Sequence, residues 1–184
     1  LSLHDALPIF MFASHRSIPS LIAIALMIWM SAFHSAAAET LAAPSGPVVL
    51  TVTGKIAQTN GAAGAQFDIA MLEALPRRVA KVTTPWAEGV NAFEGPLARA
   101  VLQAVGAKGS KLRITALNDY SAEVPFEDFM KFDVILALKK NDAYLPVRHQ
   151  GPIFVIYPFD TNPDLYNEVY FSRSVWQVRS IEVR

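Results

Sequence analysis

The sequence predicts an α+β fold, built from mixed, strand-rich sheets with few, short helices. Segments rich in β-branched and aromatic residues recur from residue 48 to the C-terminus, and turn-forming residues separate them. Only one segment, residues 96–105, has a clear helical period. Strands and helices do not alternate regularly, as they would in a doubly wound parallel sheet, and this favours α+β architecture.

The N-terminal residues are expected to precede the folded domain. Residues 1–10 (LSLHDALPIF) come before the first methionine and are interpreted as a non-native leader. Residues 11–38 are predicted to be a signal peptide, and residues 39–47, which contain proline and glycine, a flexible arm. The remaining residues, 48–184, are the length of one domain.

The signal peptide is predicted from three features in the usual order. Arg16 supplies a positive charge, residues 21–33 are apolar apart from one serine, and residues 36–38 are alanines. The apolar run is shorter than the roughly 20 residues that a spanning helix needs, which favours cleavage near Ala38 over a membrane anchor. We therefore expect a periplasmic or secreted protein that associates with a membrane only if the signal stays uncleaved.

The domain is expected to begin with a strand, a short helix and a second strand. β-Branched residues predict strands over residues 48–54 and 80–84. Between them, Asp68 is placed to cap a helix over residues 69–75, which Pro76 would end.

The middle of the chain is predicted to form a loop followed by the clearest helix. Residues 85–95 (PWAEGVNAFEG) contain proline, glycine and asparagine, and are expected to be a loop that holds Trp86 and Phe93. Residues 96–105 have a proline in the first turn and end at Gly106. The apolar residues of this segment share one helix face: Leu97, Val101, Leu102 and Val105.

The C-terminal half is expected to consist mainly of strands. Strands are predicted over residues 111–117, 121–124, 134–138, 144–147, 153–157 and 175–183. Short helical turns are predicted over residues 125–130 and 163–170, and Asn141 with Asp142 marks a hairpin turn.

Composition excludes several classes of function. The 16 basic and 16 acidic residues balance, so there is no electrostatic case for nucleic-acid binding. There is no cysteine, which removes thiolate nucleophiles, thiolate metal sites and disulfides. His149 is the only histidine outside the predicted leader and signal, so a histidine-based zinc site or a hydrolase triad is not expected.

Two segments are candidates for binding. Arg148 and His149 precede a glycine and a proline between two predicted strands, and such donors suit an anion or a cofactor phosphate. Trp86 lies in a segment bounded by proline and glycine, and is either a core plug or a pocket wall. The carboxylates Glu123, Glu127 and Asp128 are interpreted as solvated surface groups in preference to an acid–base pair.

Taken together, residues 48–183 resemble the oxidoreductase molybdopterin-binding domain of the sulfite oxidase type. Four segments carry the resemblance. Trp86 with Phe93, Gly95, Pro96 and Leu97 resembles the motif W…W-x-G-x-x-L, and Asn118, Asp119 and Tyr120 resemble D-G-Y. Residues 149–152 with Tyr157 and Pro158 resemble H-G-x-P-x-R…P, and Trp176 with residues 181–183 resembles K-W…I-x-V. The resemblance implies the fold of that family and a pterin pocket in which one cysteine thiolate binds molybdenum.

The chain departs from the family pattern where the metal and the cofactor would be held. Counting back from Gly95, the cysteine would fall near Thr83 or Thr84, and a threonine hydroxyl cannot replace a soft thiolate. Phe154 stands in place of the arginine, and Val175 in place of the lysine before the terminal tryptophan. Gln150 and Asp119 replace two glycines of the motifs.

These observations lead to a main hypothesis and two alternatives. The main hypothesis is an exported ligand-binding or accessory module without thiolate-held molybdenum and with no cofactor, whose partner is a small polar ligand or a periplasmic or membrane protein. The expected binding residues are Thr83, Thr84, Trp86, Asn118, Asp119, Tyr120, Arg148 and His149. No catalytic residue and no metal ligand is predicted.

The first alternative is an active molybdopterin-dependent oxidoreductase that holds its pterin without a cysteine. Arg148 and His149 would then contact the cofactor phosphate. The second alternative is a purely structural interaction domain, in which side chains would fill the space beside Trp86 and His149.

Overall fold

The computed structural model describes residues 41–184, which form eleven strands, four short α-helices and two 3₁₀ turns. The predicted leader and signal peptide, and the first two residues of the predicted arm, lie outside the described residues. No helix within the described part of the chain is long and apolar enough to cross a membrane.

The elements follow one another in a β-rich order. They are β1 (Leu50–Gly54), β2 (Ala65–Phe67), α1 (Ile69–Glu73), β3 (Arg77–Thr84), β4 (Ala87–Pro96), α2 (Ala98–Ala104), β5 (Lys111–Ala116), β6 (Ser121–Pro125), α3 (Phe126–Lys131), β7 (Ile135–Ala137), β8 (Lys139–Lys140), β9 (Ala143–Tyr144), β10 (Phe154–Ile156), α4 (Glu168–Arg173) and β11 (Val178–Val183). The 3₁₀ turns are Val147–His149 and Pro163–Leu165.

Three sheets organise the domain. The largest has the order β2-β1-β11-β5-β6, and its β1–β11 pair is parallel while the other pairs are antiparallel. A four-stranded antiparallel sheet has the order β3-β4-β8-β9, and β7 pairs with β10 in the third. Mixed sheets with few, short helices confirm the predicted α+β class.

Apolar side chains of all three sheets and of α2 form the hydrophobic core. In β1 and β5 the buried residues alternate with more exposed ones, because one face of this sheet packs inward. In β7 and β10 every residue is buried, as expected for strands covered on both faces. The prediction of two buried strands within residues 134–138 and 153–157 is therefore confirmed.

The predicted loop over residues 85–95 is wrong, because most of this segment forms β4. Only Pro85 and Trp86 make the turn, and β4 then pairs with β3 on one side and β8 on the other. Gly95 is required by packing, since a Cβ atom there would lie 2.0 Å from the carbonyl oxygen of Leu136. The glycine that suggested a loop thus marks a close approach between strands.

Asp68 caps α1 as predicted and also binds the preceding chain. Its carboxylate accepts hydrogen bonds from the backbone N–H groups of Met71, Ser45 and Gly46, each at 2.8 Å. These N–H groups, that of Met71 first, hold the pKa of the Asp68 carboxyl below its ordinary value. The C-terminal part of the predicted arm is consequently tied to the start of α1.

Two positions where the family motifs have glycine adopt left-handed backbone conformations. Asp119 has φ of 67° in the turn between β5 and β6, and Gln150 has φ of 99° after the first 3₁₀ turn. Aspartate tolerates such a conformation better than most residues, whereas glutamine is strained there. The turns have therefore kept a shape that suits glycine although the glycines are gone.

Replacing Gln150 by glycine is expected to stabilise the protein. Gln150→Gly relieves the backbone strain of the left-handed conformation, but glycine also raises the entropy of the unfolded chain, which opposes the gain. The free energy of unfolding is expected to rise by about 0.5–1 kcal/mol. Denaturant unfolding followed by circular dichroism measures the change. Gln103→Gly is the matched control: it lies within α2 and should destabilise by about 1 kcal/mol. A loss of stability in Gln150→Gly would contradict the assignment of strain.

Candidate functional site

Three segments distant in sequence converge around Trp86 and form a groove of about 440 Å³. They are the β3–β4 turn with Trp86, the β5–β6 turn with Asn118 and Tyr120, and the segment from α4 to Trp176. We call this space the aromatic groove. Four aromatic rings line it, those of Trp86, Tyr120, Phe171 and Trp176. The lining also includes the carboxylate residue Glu168, the amide residue Asn118, and the hydroxyl residues Ser172 and Ser174.

A second open space, of about 450 Å³, also has Trp86 in its lining. Lys140, Tyr144, His149 and Gln150 contribute to its walls, and we call it the basic groove. It lies between Trp86 and the segment that contains His149. Open space beside these two residues argues against the purely structural alternative, which required side chains to fill it.

Two residues in the walls of the basic groove carry nitrogen donors and have no carboxylate partner among the described residues: Lys140 and His149. Neighbouring Lys139 is paired: its Nζ lies 2.8 Å from Glu73 Oε1, the oxygen that also accepts a 2.8 Å hydrogen bond from the Tyr144 hydroxyl. The hydrogen bond from Lys139, followed by that from Tyr144, holds the pKa of the Glu73 carboxyl below its ordinary value. Tyr144 is thereby held in place as a groove wall.

The eight predicted binding residues do not all meet in one pocket. Trp86, Asn118 and Tyr120 line the aromatic groove, and His149 lines the basic groove. The other four line neither groove. Thr83 is exposed and lines a different open space, of about 480 Å³, whereas its neighbour Thr84 is buried. Asp119 forms an exposed ion pair with Arg179 at 2.6 Å, and Arg148 is exposed on a 3₁₀ turn.

Trp86 is both a core contact and a groove wall, the two roles that the sequence left open. Its half-buried ring packs edge-to-face on Phe154, Phe171 and Trp176, with centroid separations of 5.5, 5.7 and 5.9 Å. Phe154 is fully buried and also contacts Phe93 and Trp176 edge-to-face, at 5.8 and 6.1 Å. The residue in place of the family arginine is therefore a central ring of this aromatic cluster.

Residues of α4 and its flanks were missed as site residues by the sequence analysis. Glu168, Phe171, Ser172 and Ser174 lie in a segment that was read only as a helical turn and its flank, and Trp176 was noted only within a motif. The one available signal was the density of aromatic residues in an otherwise polar segment. Which side of α4 faces Trp86 depends on tertiary packing.

A partly buried polar trio of Asp128, Tyr157 and Arg173 fixes the C-terminal end of α4. Asp128 Oδ2 accepts hydrogen bonds from the Tyr157 hydroxyl and from Arg173 Nη1, both at 2.8 Å. Burial, followed by the charge of Asp128, raises the pKa of Tyr157, so this hydroxyl remains a donor. Asp128 is thus a structural group that holds the wall of the aromatic groove.

The family model described as "Oxidoreductase molybdopterin binding domain" matches residues 68–184. This chain belongs to the oxidoreductase molybdopterin-binding domain family. The match confirms the resemblance read from the sequence.

A solved structure shares the fold of this family member. The sulfane dehydrogenase SoxCD from Paracoccus pantotrophus matches with a TM-score of 0.54 and 19% sequence identity, over 73% of this chain and 37% of that chain. At this identity the likeness concerns the fold alone, and this chain spans little more than a third of that one. The comparison with curated proteins finds no match.

The metal-binding position of the family does not fit a molybdenum–thiolate bond in this member. The chain has no cysteine, and Thr84, one of the two positions where the cysteine is expected, is 3% exposed and lines neither groove. A threonine hydroxyl is a hard ligand with a high pKa and is a poor substitute for a soft thiolate. Within residues 41–184 no three acidic or histidine side chains cluster as a metal site.

The positions that carry cations in the family motifs also lack them here. Phe154 is buried in the aromatic cluster, and Val175, which lines the aromatic groove, has an apolar side chain. The lining of that groove contains no lysine or arginine and includes the carboxylate of Glu168. A doubly charged pterin phosphate is therefore disfavoured in the aromatic groove, while the basic groove has Lys140 and His149.

Thr84→Val is expected to leave stability unchanged or to raise it by about 1 kcal/mol. Among the described residues, Thr84 Oγ1 is the one buried side-chain polar atom with no hydrogen-bond partner, and an isosteric methyl group removes its desolvation cost. Denaturant unfolding measures the difference. Thr83→Val, at the exposed neighbour, is the matched control and should change stability by less than about 0.5 kcal/mol. A clear loss in Thr84→Val would indicate that the hydroxyl has a partner.

Proposed function

We propose that this protein is an exported ligand-binding or accessory module that retains the molybdopterin-binding oxidoreductase fold without thiolate-held molybdenum. One observation carries the proposal: both positions at the end of β3 where the family's metal ligand is expected, the exposed Thr83 and the buried Thr84, are threonines in a chain without cysteine. Export rests on the signal peptide predicted over residues 11–38.

Substitutions around this position support the same conclusion. Soft sulfur ligation tunes a molybdenum centre, and cationic side chains neutralise the phosphate of its pterin. Phe154 and Val175 supply neither charge nor hydrogen-bond donors. Because Phe154 packs on three aromatic rings, returning an arginine to that position would also disrupt the cluster beneath Trp86.

The open grooves support a binding role over a purely structural one. Each has a volume of about 450 Å³ or slightly less, within the range of small-molecule sites, and each combines aromatic walls with polar groups. The partner is a small polar ligand or a periplasmic or membrane protein that meets this end of the domain.

The second candidate function is a molybdopterin-dependent oxidoreductase that holds its pterin without a cysteine. It is favoured by the basic groove, where Lys140 and His149 lie beside the ring of Trp86. A phosphate would find the ammonium group of Lys140 and a nitrogen donor of His149 there, and a pterin would find an aromatic wall. Arg148, the other cation expected at this site, lines neither groove.

Metal and pterin content separate the two candidates. The protein purified from the organism that encodes it is expected to contain neither molybdenum nor tungsten in stoichiometric amount, and no pterin released on denaturation. Elemental mass spectrometry and fluorescence of oxidised pterin measure both. A cysteine-containing family member produced in the same cells is the control for cofactor supply. Stoichiometric molybdenum would overturn the proposal and favour the oxidoreductase.

Restoring a thiol tests whether only the ligand is missing. Thr84→Cys is expected to gain no molybdenum, because its side chain faces neither groove and Phe154 still occupies the position of the arginine. Thr83→Cys, on the exposed neighbouring residue, is the matched variant. Molybdenum bound by either one, and absent from the parent protein, would show that a working cofactor cavity survives.

A further inference from the structure

Aromatic rings from three segments of the chain line the aromatic groove, and their arrangement restricts the class of ligand that it can bind. Phe171 and Trp176 both meet the ring of Trp86 nearly at right angles, with interplanar angles of 78° and 74°. Tyr120 adds a fourth ring from the β5–β6 turn. Tyr120 and Trp176 are 53% and 39% exposed, so these rings are available to a ligand.

The charge of the groove restricts the ligand further. Glu168 is the only charged side chain in the lining, and no salt bridge reaches it from the described residues. The nearest cation along α4, Arg173, is bound to Asp128 at 2.8 Å. The lining of the groove therefore combines one carboxylate with four aromatic rings and has no lysine or arginine.

We infer that the aromatic groove binds a small organic cation of the quaternary-ammonium class, held over the rings of Trp86, Tyr120 and Trp176 and attracted by Glu168. This inference deepens the proposed function and rests on it, because it names the ligand of the binding module. Aromatic ring faces attract such cations, and a carboxylate at the rim adds a long-range attraction.

Two other ligand classes fit the groove less well. An anion would meet the Glu168 carboxylate and no cationic side chain in the lining. A neutral sugar would stack on a single ring and hydrogen-bond to Glu168, Asn118 and the groove serines, but it has no net charge for the carboxylate to attract and would use only one of the rings set at right angles.

Choline and its neutral isostere 3,3-dimethylbutan-1-ol give a direct test, because they share shape and differ in charge. We expect choline to bind the purified protein about tenfold more tightly than the neutral compound, as measured by isothermal titration calorimetry and by tryptophan fluorescence. Equal affinities would overturn the inference, because they would show that only apolar contact holds the ligand. Absence of choline binding by folded protein would also overturn it.

Variants locate the binding site. Trp176→Leu and Tyr120→Leu are expected to weaken choline binding about five- to tenfold, and Glu168→Gln about threefold. Glu127→Gln is the matched control, since Glu127 is an exposed carboxylate in the first turn of α3 and does not line the groove. Circular dichroism confirms that each variant folds, and the two leucine variants test the rings independently. Unchanged choline affinity in folded leucine variants would overturn the assignment to this groove.

Other results distinguish this inference from the proposed function. If glucose binds and choline does not, and Trp176→Leu abolishes the binding of glucose, the groove is a carbohydrate site and the inference is overturned. Failure of choline to bind to protein that contains no molybdenum overturns this inference alone. Stoichiometric molybdenum overturns the proposed function, whatever the result with choline.

Discussion

The edge-to-face packing of Trp86 on Phe154 is the contact on which both grooves depend. The two-residue turn between β3 and β4 projects Trp86 over β10, where Phe154 lies fully buried with its ring centroid 5.5 Å away. One ring of this pair stabilises the core, and the other forms a wall of each open space. An arginine in place of Phe154 would bring a charge into this packed cluster, where burial without a partner is costly.

The candidate site of this domain has aromatic and apolar side chains where the family motifs have charged groups. In the motifs that this family shares, a thiolate and cationic side chains hold a metal and an anionic cofactor. In this member the sequence comparison of the motifs places a threonine, Thr83 or Thr84, where the thiolate is expected, and Phe154 and Val175 where the cations are expected. The aromatic groove has a volume of about 440 Å³ and four rings in its lining, and the one charged side chain of that lining is Glu168. Such a groove favours cations over phosphates.

Local features of this fold can be predicted from the sequence, whereas features that depend on contacts between distant segments cannot. The buried strands β7 and β10 and the cap of α1 were predictable, because continuous apolar runs and an N-cap aspartate are local signals. Strand β4 was not predicted because its glycine and asparagine residues are there for tertiary contacts and not for a loop. Gly95 allows the backbone of Leu136 to approach, and Asn91 Oδ1 accepts a 3.1 Å hydrogen bond from the distant Asn141 Nδ2. Local propensity cannot show either need.

The sequence by itself determined the family, the α+β class and the absence of a thiolate, because motif order and composition do not depend on packing. It also placed Trp86, Asn118 and Tyr120 among the binding residues, and the structure brings these three to one groove. Only the tertiary structure decided that Glu168 and Trp176 join them, while Arg148 and Thr84 line neither groove. The reason is that the β3–β4 turn, the β5–β6 turn and α4 are far apart in sequence. Their meeting is set by the sheets that carry them and by the trio of Asp128, Tyr157 and Arg173, which no local pattern encodes.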